Sequence, residues 1–231
     1  MPRMGRRIRP GIRQSLRFQM ESGDFPVPVL FLKFGENTGT EAKDSSPEGN
    51  DMDIEGPTWT TGFKGPGLDF DDIDDYGKIS DSASFSALSA ITLAAWMYQK
   101  GLGDFHTILE QDEGYVFRTD AFDYLKFWVH LGAAGWKLVA SSIEAVVKIS
   151  PIERWFFVVG TWESGEGKVY INAVERGSTT QTGSMNDGGD LIIGANAAKD
   201  SNLMKGILDE VRIYDVAFSA RQVRELFYGF E

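Results

Sequence analysis

The stretch that decides the fold is Trp155-Phe-Phe-Val-Val-Gly-Thr-Trp162, followed by Gly167-Lys-Val-Tyr-Ile-Asn172 and Gly206-Ile-Leu-Asp-Glu-Val-Arg-Ile-Tyr214. The first and third phrases are apolar runs rich in β-branched and aromatic residues and bounded by glycine, which is typical of buried strands. The second phrase ends in an asparagine where the chain must turn. The last third of the chain is therefore predicted to form β-sheet.

The segment after the third phrase has a different apolar period. Val223, Leu226 and Phe227 fall on one face of a helix, because they recur at spacings of three and four. Ser219 and Gln222 have the spacing of a capping box just before that face. The sequence therefore predicts that one short helix lies across the sheet.

Further phrases of the same kind precede the C-terminal third. They are Leu30-Phe-Leu-Lys-Phe-Gly-Glu36 with Gly39-Thr40 and Ala42-Lys-Asp-Ser-Ser46, then Trp59, Gly62, Gly65 and Leu68-Asp-Phe70, then Asp74-Asp-Tyr-Gly-Lys-Ile79, Phe85 and Ile91-Thr-Leu-Ala-Ala-Trp96.

In this order, all the phrases together resemble the laminin-G-like domains of the concanavalin-A-like jelly-roll fold, over about residues 28–228. The resemblance implies an all-β fold: a sandwich of two antiparallel sheets with a short C-terminal helix, in which Trp96 is a buried anchor. Ala173 departs from it, since the family usually has glycine after the asparagine. A two-residue hairpin turn requires positive φ at both positions. Alanine instead of glycine therefore lowers stability by about 1 kcal/mol or changes the type of turn.

The composition favours one sandwich domain, residues 25–231, preceded by an arm, residues 1–24. Hydrophobic residues make up 42% of the chain, which is ample for a sizeable core. Strands are predicted near 29–34, 67–70, 76–79, 90–98, 106–111, 115–118, 124–131, 136–140, 155–162, 168–172, 174–178, 191–194 and 206–214. Residues 124–131 are largely apolar on both faces, which suits an inner strand. Residues 35–58 form the longest irregular segment, and such a loop is typically functional or held in place by a group such as a metal.

The chain contains no cysteine, which excludes disulfides, thiolate catalysis and zinc–thiolate sites. No apolar window is long enough to span a membrane, and no apolar segment of signal-peptide type follows the N-terminal charges. The sequence therefore leaves the localisation open.

The charge is divided between an N-terminal arm and the rest of the chain. Residues 1–19 contain six arginines and no acid, whereas the whole chain has a net charge of −11, so the remainder carries −17. These arginines are Arg3, Arg6, Arg7, Arg9, Arg13 and Arg17. Such asymmetry predicts that the arm docks on an acidic surface of a neighbouring subunit or assembly protein. The alternatives are that the arm alone binds nucleic acid or lipid headgroups, that it is a transit peptide, or that it is a solubilising tail.

Enzymatic activity is not favoured by the pattern of acids and histidines. Some concanavalin-A-like folds are glycoside hydrolases, which need two carboxylates facing one cleft. The nearest candidates, Glu110 and Asp112, lie in a polar run that leads straight into Gly114, so they are typical of a turn at a strand end. His106 and His130 make no zinc site or catalytic triad, and His130 is predicted to be structural or at a rim.

Calcium is the cofactor that the resemblance implies. The matching positions are Asp44 and Asn50 on the first long loop and Asp209 in the last core strand, and oxygen ligands of this kind suit Ca²⁺. The alternative is that Asp44 forms an Asx-turn and Asp209 caps backbone amides. The acidic run Asp69–Asp75 fails as an EF-hand, because Ala83 stands where a bidentate glutamate is needed. A solvated strand edge is predicted there.

The resemblance implies a non-catalytic adhesion or decoration module that binds carbohydrate or a protein surface. Phe105, His106 and Trp136 follow glycine-rich segments and are the candidates for contact with a sugar. A single domain with a cationic arm favours attachment to a larger assembly, such as a virion or a cell surface. A lectin that acts alone and a glycoside hydrolase remain the alternatives.

Overall fold

The computed structural model describes residues 25–145 and 153–229. The arm, residues 1–24, lies outside the described residues, as do its six arginines. In the described part of the chain the strands are β1 Leu30–Leu32, β2 Glu41–Ala42, β3 Met52–Glu55, β4 Thr58–Thr61, β5 Pro66–Asp71, β6 Tyr76–Ile79, β7 Ala90–Gln99, β8 Thr107–Gln111, β9 Tyr115–Thr119, β10 Tyr124–His130, β11 Trp136–Ala145, β12 Trp155–Glu163, β13 Glu166–Ile171, β14 Val174–Thr179, β15 Leu191–Ile193 and β16 Lys205–Tyr214. A 3-10 turn spans Gly132–Ala134, and helix α1 spans Ala220–Tyr228.

The strands form two antiparallel sheets, which confirms the predicted all-β sandwich. The first sheet has the order β14-β13-β12-β7-β16-β5-β4, and β1 also pairs with β16. The second sheet has the order β11-β10-β9-β8-β15-β6-β3-β2. Many neighbours are distant in sequence, as a jelly roll requires.

The main core lies between the two sheets. Alternate side chains of each strand point into it, because successive residues of a strand face opposite sides. Large aromatic residues fill the centre and are fully buried: Phe117, Phe127, Phe156 and Trp162. On β10 the alternation is strict, so every second residue is only half-buried.

A second core lies between the outer face of the first sheet and helix α1. Trp96 belongs to this core, where its ring stacks on Phe63 at a centroid distance of 3.4 Å. The helix buries Val223 and Leu226 against the sheet, and Ser219 forms the predicted capping box with Gln222. Trp96 is therefore buried as expected, but it anchors the helix rather than the space between the sheets.

Two predictions about local structure were wrong. The segment 35–58 is not irregular throughout, because it contains β2 and β3 at the edge of the second sheet. Short strands with alternating polar residues, such as Met52–Glu55, give a weak signal in sequence. Residues 124–130 form an inner strand of the sheet, but only one of its faces is buried.

The hairpin that contains Ala173 keeps the tight turn. Asn172 and Ala173 have φ values of 50° and 61°, both in the left-handed region that such a turn requires. Ile171 pairs with Val174 across it, so the register is retained. The Ala173 methyl group packs in the second core, which offsets part of the cost of its backbone conformation.

Candidate functional site

The two sheets differ in what covers their outer faces. Helix α1 covers the first sheet, whereas the outer face of the second sheet carries mostly half-exposed side chains, with Val116 and Ile192 buried among them. We call this surface the ligand face, and its residues are Lys78, Glu110, Val116, Arg118, Lys126, Trp128, His130, Trp136, Leu138 and Ile192.

An apolar patch lies at the centre of the ligand face. Trp128 on β10 stands between Val116 on β9 and Leu138 on β11 in the register of the sheet. Its indole Nε1 has no hydrogen-bond partner among the described residues. A half-exposed indole between two aliphatic side chains offers a flat apolar surface, whereas its Nε1 is itself buried.

Trp136 extends this surface toward the edge of the sheet. It is 39% exposed and pairs with His130 across β10 and β11. The two rings meet edge to face, with centroids 5.2 Å apart and planes at 86°. The contact fixes the orientation of Trp136 while one side of its ring remains accessible to solvent.

Glu110 lies on the other side of the apolar patch, one strand beyond Val116. Its Oε1 accepts a hydrogen bond of 3.0 Å from the backbone N–H of Ala197, so the loop after β15 closes this end of the face. Burial raises the pKa of the Glu110 carboxyl, and the Ala197 N–H and Arg118 oppose that rise. Asp112 follows the end of β8 in an exposed turn, as the sequence predicts.

The three residues proposed for sugar contact have different environments. Trp136 lies on the ligand face and is exposed. The ring of Phe105 is half-buried and carries the guanidinium of Arg118 at 4.9 Å from its centre. His106 is only 1% exposed, and its Nδ1 lies 3.2 Å from the carbonyl oxygen of Leu203. The side chain of His106 therefore lies inside the protein rather than on a surface that a sugar reaches.

Most residues of the ligand face were not among the predicted sugar contacts, including Arg118, Trp128 and His130. The signal that could have found Trp128 and His130 is the alternation along β10. Tyr124, Lys126, Trp128 and His130 occupy every second position, and the lysine shows that this face meets solvent. The alternation is hard to recognise from hydrophobicity alone, because the aromatic residues on this face are themselves hydrophobic.

The fold brings together two of the three residues proposed for calcium, Asp44 and Asn50, but not the third. Asn50 N donates to Asp44 Oδ2 at 2.8 Å, but no contact joins Asp209 to either residue in the described part of the chain. Asp209 is fully buried, and its two oxygens accept from the backbone N–H groups of Lys64 and Glu210 at 2.8 and 2.7 Å. Burial raises the pKa of its carboxyl to about 6.

Asp44 is also occupied by hydrogen bonds. Its Oδ1 accepts from the N–H groups of Phe31 and Ser46, and its Oδ2 accepts from the Ser46 hydroxyl and the Asn50 N–H. These carboxylates therefore do what the alternative interpretation expected, and the arrangement does not fit a shared calcium ion. Calcium binding here stays a prediction, and a melting temperature that is the same in calcium and in chelator contradicts it.

Another group of carboxylates does come together. Oxygens of Asp71, Asp74 and Asp75, in the turn between β5 and β6, lie within 4.8 Å of one another. Asp75 Oδ2 accepts from the N–H of Asp71 at 2.9 Å, which organises this turn. Burial, above all, raises the pKa of Asp75. These carboxylates belong to the acidic run that the sequence predicts as a solvated strand edge.

Solved structures of binding domains share this fold. The binding domain of Paraclostridial Mosquitocidal Protein 1 matches with a TM-score of 0.71 at 16% identity, over 88% of this chain and 52% of that chain. The binding domain of Botulinum Neurotoxin DC in complex with SialylT matches with a TM-score of 0.70 at 14% identity, over 89% of this chain and 51% of that one. The chain thus spans about half the length of these two structures.

A third structure matches over nearly its whole length. Domain 4 of AbnA, an extracellular arabinanase from Geobacillus stearothermophilus in complex with arabinotriose, has a TM-score of 0.70 at 19% identity, over 88% of this chain and 99% of that chain. At such identities the likeness shows the fold alone.

No curated protein sequence matches the chain. In residues 25–145 and 153–229, no helix has the length and apolar character that a membrane crossing needs. A family model does match residues 71–224, which include most strands of both sheets and the start of helix α1. The chain therefore belongs to the Laminin_G_3 family, described as the concanavalin A-like lectin/glucanases superfamily.

Proposed function

We propose that this protein is a non-catalytic adhesion module that binds carbohydrate through the ligand face. The observation that carries the proposal is the half-exposed row of Trp128 and Trp136, set in the open sheet and flanked by polar side chains. Sugar rings have apolar faces that pack on aromatic rings, while their hydroxyls need donors and acceptors close by. Trp128 and Trp136 supply the aromatic rings, and Glu110, Arg118 and Lys126 supply polar groups on the same face.

Non-catalytic binding is supported by the arrangement of the carboxylates. Glu110 is engaged with the Ala197 N–H and lies on the strand, whereas Asp112 lies in the turn after it. Hydrolysis of a glycosidic bond requires two carboxyl groups on opposite sides of the bond. Turnover of a polysaccharide that is abolished in both Glu110→Gln and Asp112→Asn would favour the glycoside hydrolase instead.

A glycan array followed by calorimetry tests the binding proposal. We expect Trp128→Ala and Trp136→Ala each to weaken binding of the best array ligand about tenfold, which corresponds to ~1.4 kcal/mol. Arabinotriose is one defined probe, because a domain of the same fold is known in complex with it. Tyr228→Ala is the matched control, since Tyr228 is 60% exposed on helix α1, over the other sheet.

Two results would contradict this assignment of the site. One is an array without a single bound glycan, which would favour a module that recognises a protein surface. The other is a loss of affinity in Tyr228→Ala equal to that in the two tryptophan variants. Thermal denaturation of each variant shows whether the fold is retained.

We further propose that the basic arm attaches the domain to a larger assembly, such as a virion or a cell surface. The proposal is supported by the division of charge, with +6 in residues 1–19 against −17 in the rest of the chain. Arginine presents a planar set of donors suited to carboxylates and phosphates. The expected partner is an acidic surface of a neighbouring subunit.

Deletion of residues 1–24 tests the arm. We expect the truncated chain to melt as a folded sandwich and to lose association in light scattering at low salt, where such contacts are strongest. Substitution of the six arginines by glutamine should reproduce the loss without shortening the chain. Unchanged association of both variants, or unfolding of the truncated chain, would contradict the proposal.

A further inference from the structure

Arg118 is a basic residue of the ligand face that forms no ion pair with the residues that the structure describes. Lys78 and Lys126, on the same face, form ion pairs with Asp190 and Asp120 at 2.8 and 2.7 Å. In contrast, no ion pair or hydrogen bond joins the Arg118 side chain to another residue of the described chain.

The guanidinium of Arg118 is nevertheless held in one orientation. Its carbon atom lies 4.9 Å from the centre of the Phe105 ring, where cation–π attraction holds it. This contact does not use the guanidinium N–H groups, which form no hydrogen bond with the described residues. Arg118 is therefore oriented in advance, and its planar set of donors is available to a ligand.

The neighbours of Arg118 in the sheet favour an anion. Lys126 stands directly opposite on β10 and Thr107 directly opposite on β8, so no carboxylate occupies either adjacent position. Glu110 interacts with Arg118 electrostatically without an ion pair, and its Oε1 already accepts the Ala197 N–H. Lys126 is balanced by its ion pair with Asp120, so Arg118 is the cation at this end of the patch that forms no ion pair with a described residue.

We propose that the ligand face selects sugars that carry a carboxylate, and that Arg118 binds this carboxylate through two parallel hydrogen bonds. A sugar ring packs on Trp128, and its acidic substituent reaches Arg118, which lies diagonally across β9 and β10. The planar guanidinium matches the two oxygens of a carboxylate. Phe105 is then a positioning residue that orients Arg118. This inference rests on the proposed carbohydrate binding and adds the class of sugar.

Carboxylated sugars come from two sources, uronic acids within polysaccharides and sialic acids at glycan ends. Calorimetry with trigalacturonate and with sialyllactose, each beside its neutral counterpart galactotriose or lactose, separates the two. We expect at least one acidic probe to bind tenfold or more tightly than its counterpart. The acidic probe that does so identifies the source.

Variants of Arg118 show whether it carries this preference. Arg118→Gln should weaken binding of the acidic probe at least tenfold and change binding of the neutral sugar less than twofold. Arg118→Lys keeps the charge but loses the planar set of donors, so a smaller loss is expected. Phe105→Ala should weaken binding of the acidic probe a few-fold, again without changing binding of the neutral sugar. Arg224→Gln, on the exposed side of helix α1, is the matched control.

The result has three distinct outcomes. Selective loss of acidic binding in Arg118→Gln supports the inference. Equal affinity for acidic and neutral sugars, or equal weakening of both, overturns it while leaving carbohydrate binding intact. Binding of neither acidic nor neutral probes, together with an empty glycan array, overturns the proposed function and this inference with it.

Discussion

Replacement of Asp44 by alanine is expected to lower the free energy of unfolding by about 3 kcal/mol. The Asp44 carboxylate accepts four hydrogen bonds, from Phe31, from Ser46 twice and from Asn50, at 2.6–2.8 Å. These bonds fasten the loop after β2 to β1. Alanine leaves the three backbone N–H groups without this acceptor, and the cost is largest where water does not replace it. Urea denaturation measures the change.

Matched variants separate this role from a change of charge. Asp53→Ala removes an exposed carboxylate from β3 and should change stability by no more than about 0.5 kcal/mol. Ser46→Ala removes one of the four bonds, so a loss of about 1 kcal/mol is expected. Equal effects of Asp44→Ala and Asp53→Ala would show that the four bonds do not stabilise the loop. Measurement in both calcium and chelator also tests the predicted calcium site.

Replacement of Gly177 by alanine is expected to destabilise the fold by about 3 kcal/mol. A Cβ atom at Gly177, in β14, would come within 1.8 Å of the carbonyl oxygen of Ser141 in β11. A Cβ atom at Gly167, in β13, would come similarly close to Val139, at 2.0 Å from its carbonyl oxygen. The first and second sheets approach each other closely at this edge, and a methyl group would push their backbones apart.

Gly35→Ala is the control for this variant. A Cβ at Gly35 meets no atom within 4 Å, and its backbone does not require positive φ. The control should therefore leave stability unchanged or raise it slightly, because alanine restricts the unfolded chain. A similar melting temperature for Gly177→Ala and Gly35→Ala would show that the two sheets do not meet as tightly as described.

The strands and the helix could be predicted from the sequence because their signals are local. The apolar run from Trp155 to Trp162 became β12, and the capping box at Ser219 began helix α1. Both features depend on residues within one element, where spacing and side-chain type are sufficient. The short strands β2, β3 and β4 at the sheet edges were missed, since short half-exposed strands depend mainly on pairing with a neighbour.

The candidate site was predicted only in part. Trp136 was identified because an exposed aromatic after a glycine-rich segment is a local signal. Trp128 and Arg118 were missed because the environment of each side chain is set by residues distant in sequence. Val116 and Leu138 flank the indole, and the ring of Phe105 lies against the guanidinium. Conversely, His106 looked accessible in sequence but is buried beside Leu203, which is distant along the chain.

The sequence by itself determined that this chain is a jelly-roll sandwich with a terminal helix, since periodicity, glycine positions and capping act over short distances. Only the tertiary structure decided which face of the second sheet stays open, which carboxylates are engaged by backbone N–H groups and that Arg118 lies over the ring of Phe105. The physical reason is that accessibility and hydrogen-bond satisfaction depend on groups far apart in the chain, and their positions are set when the two sheets pack.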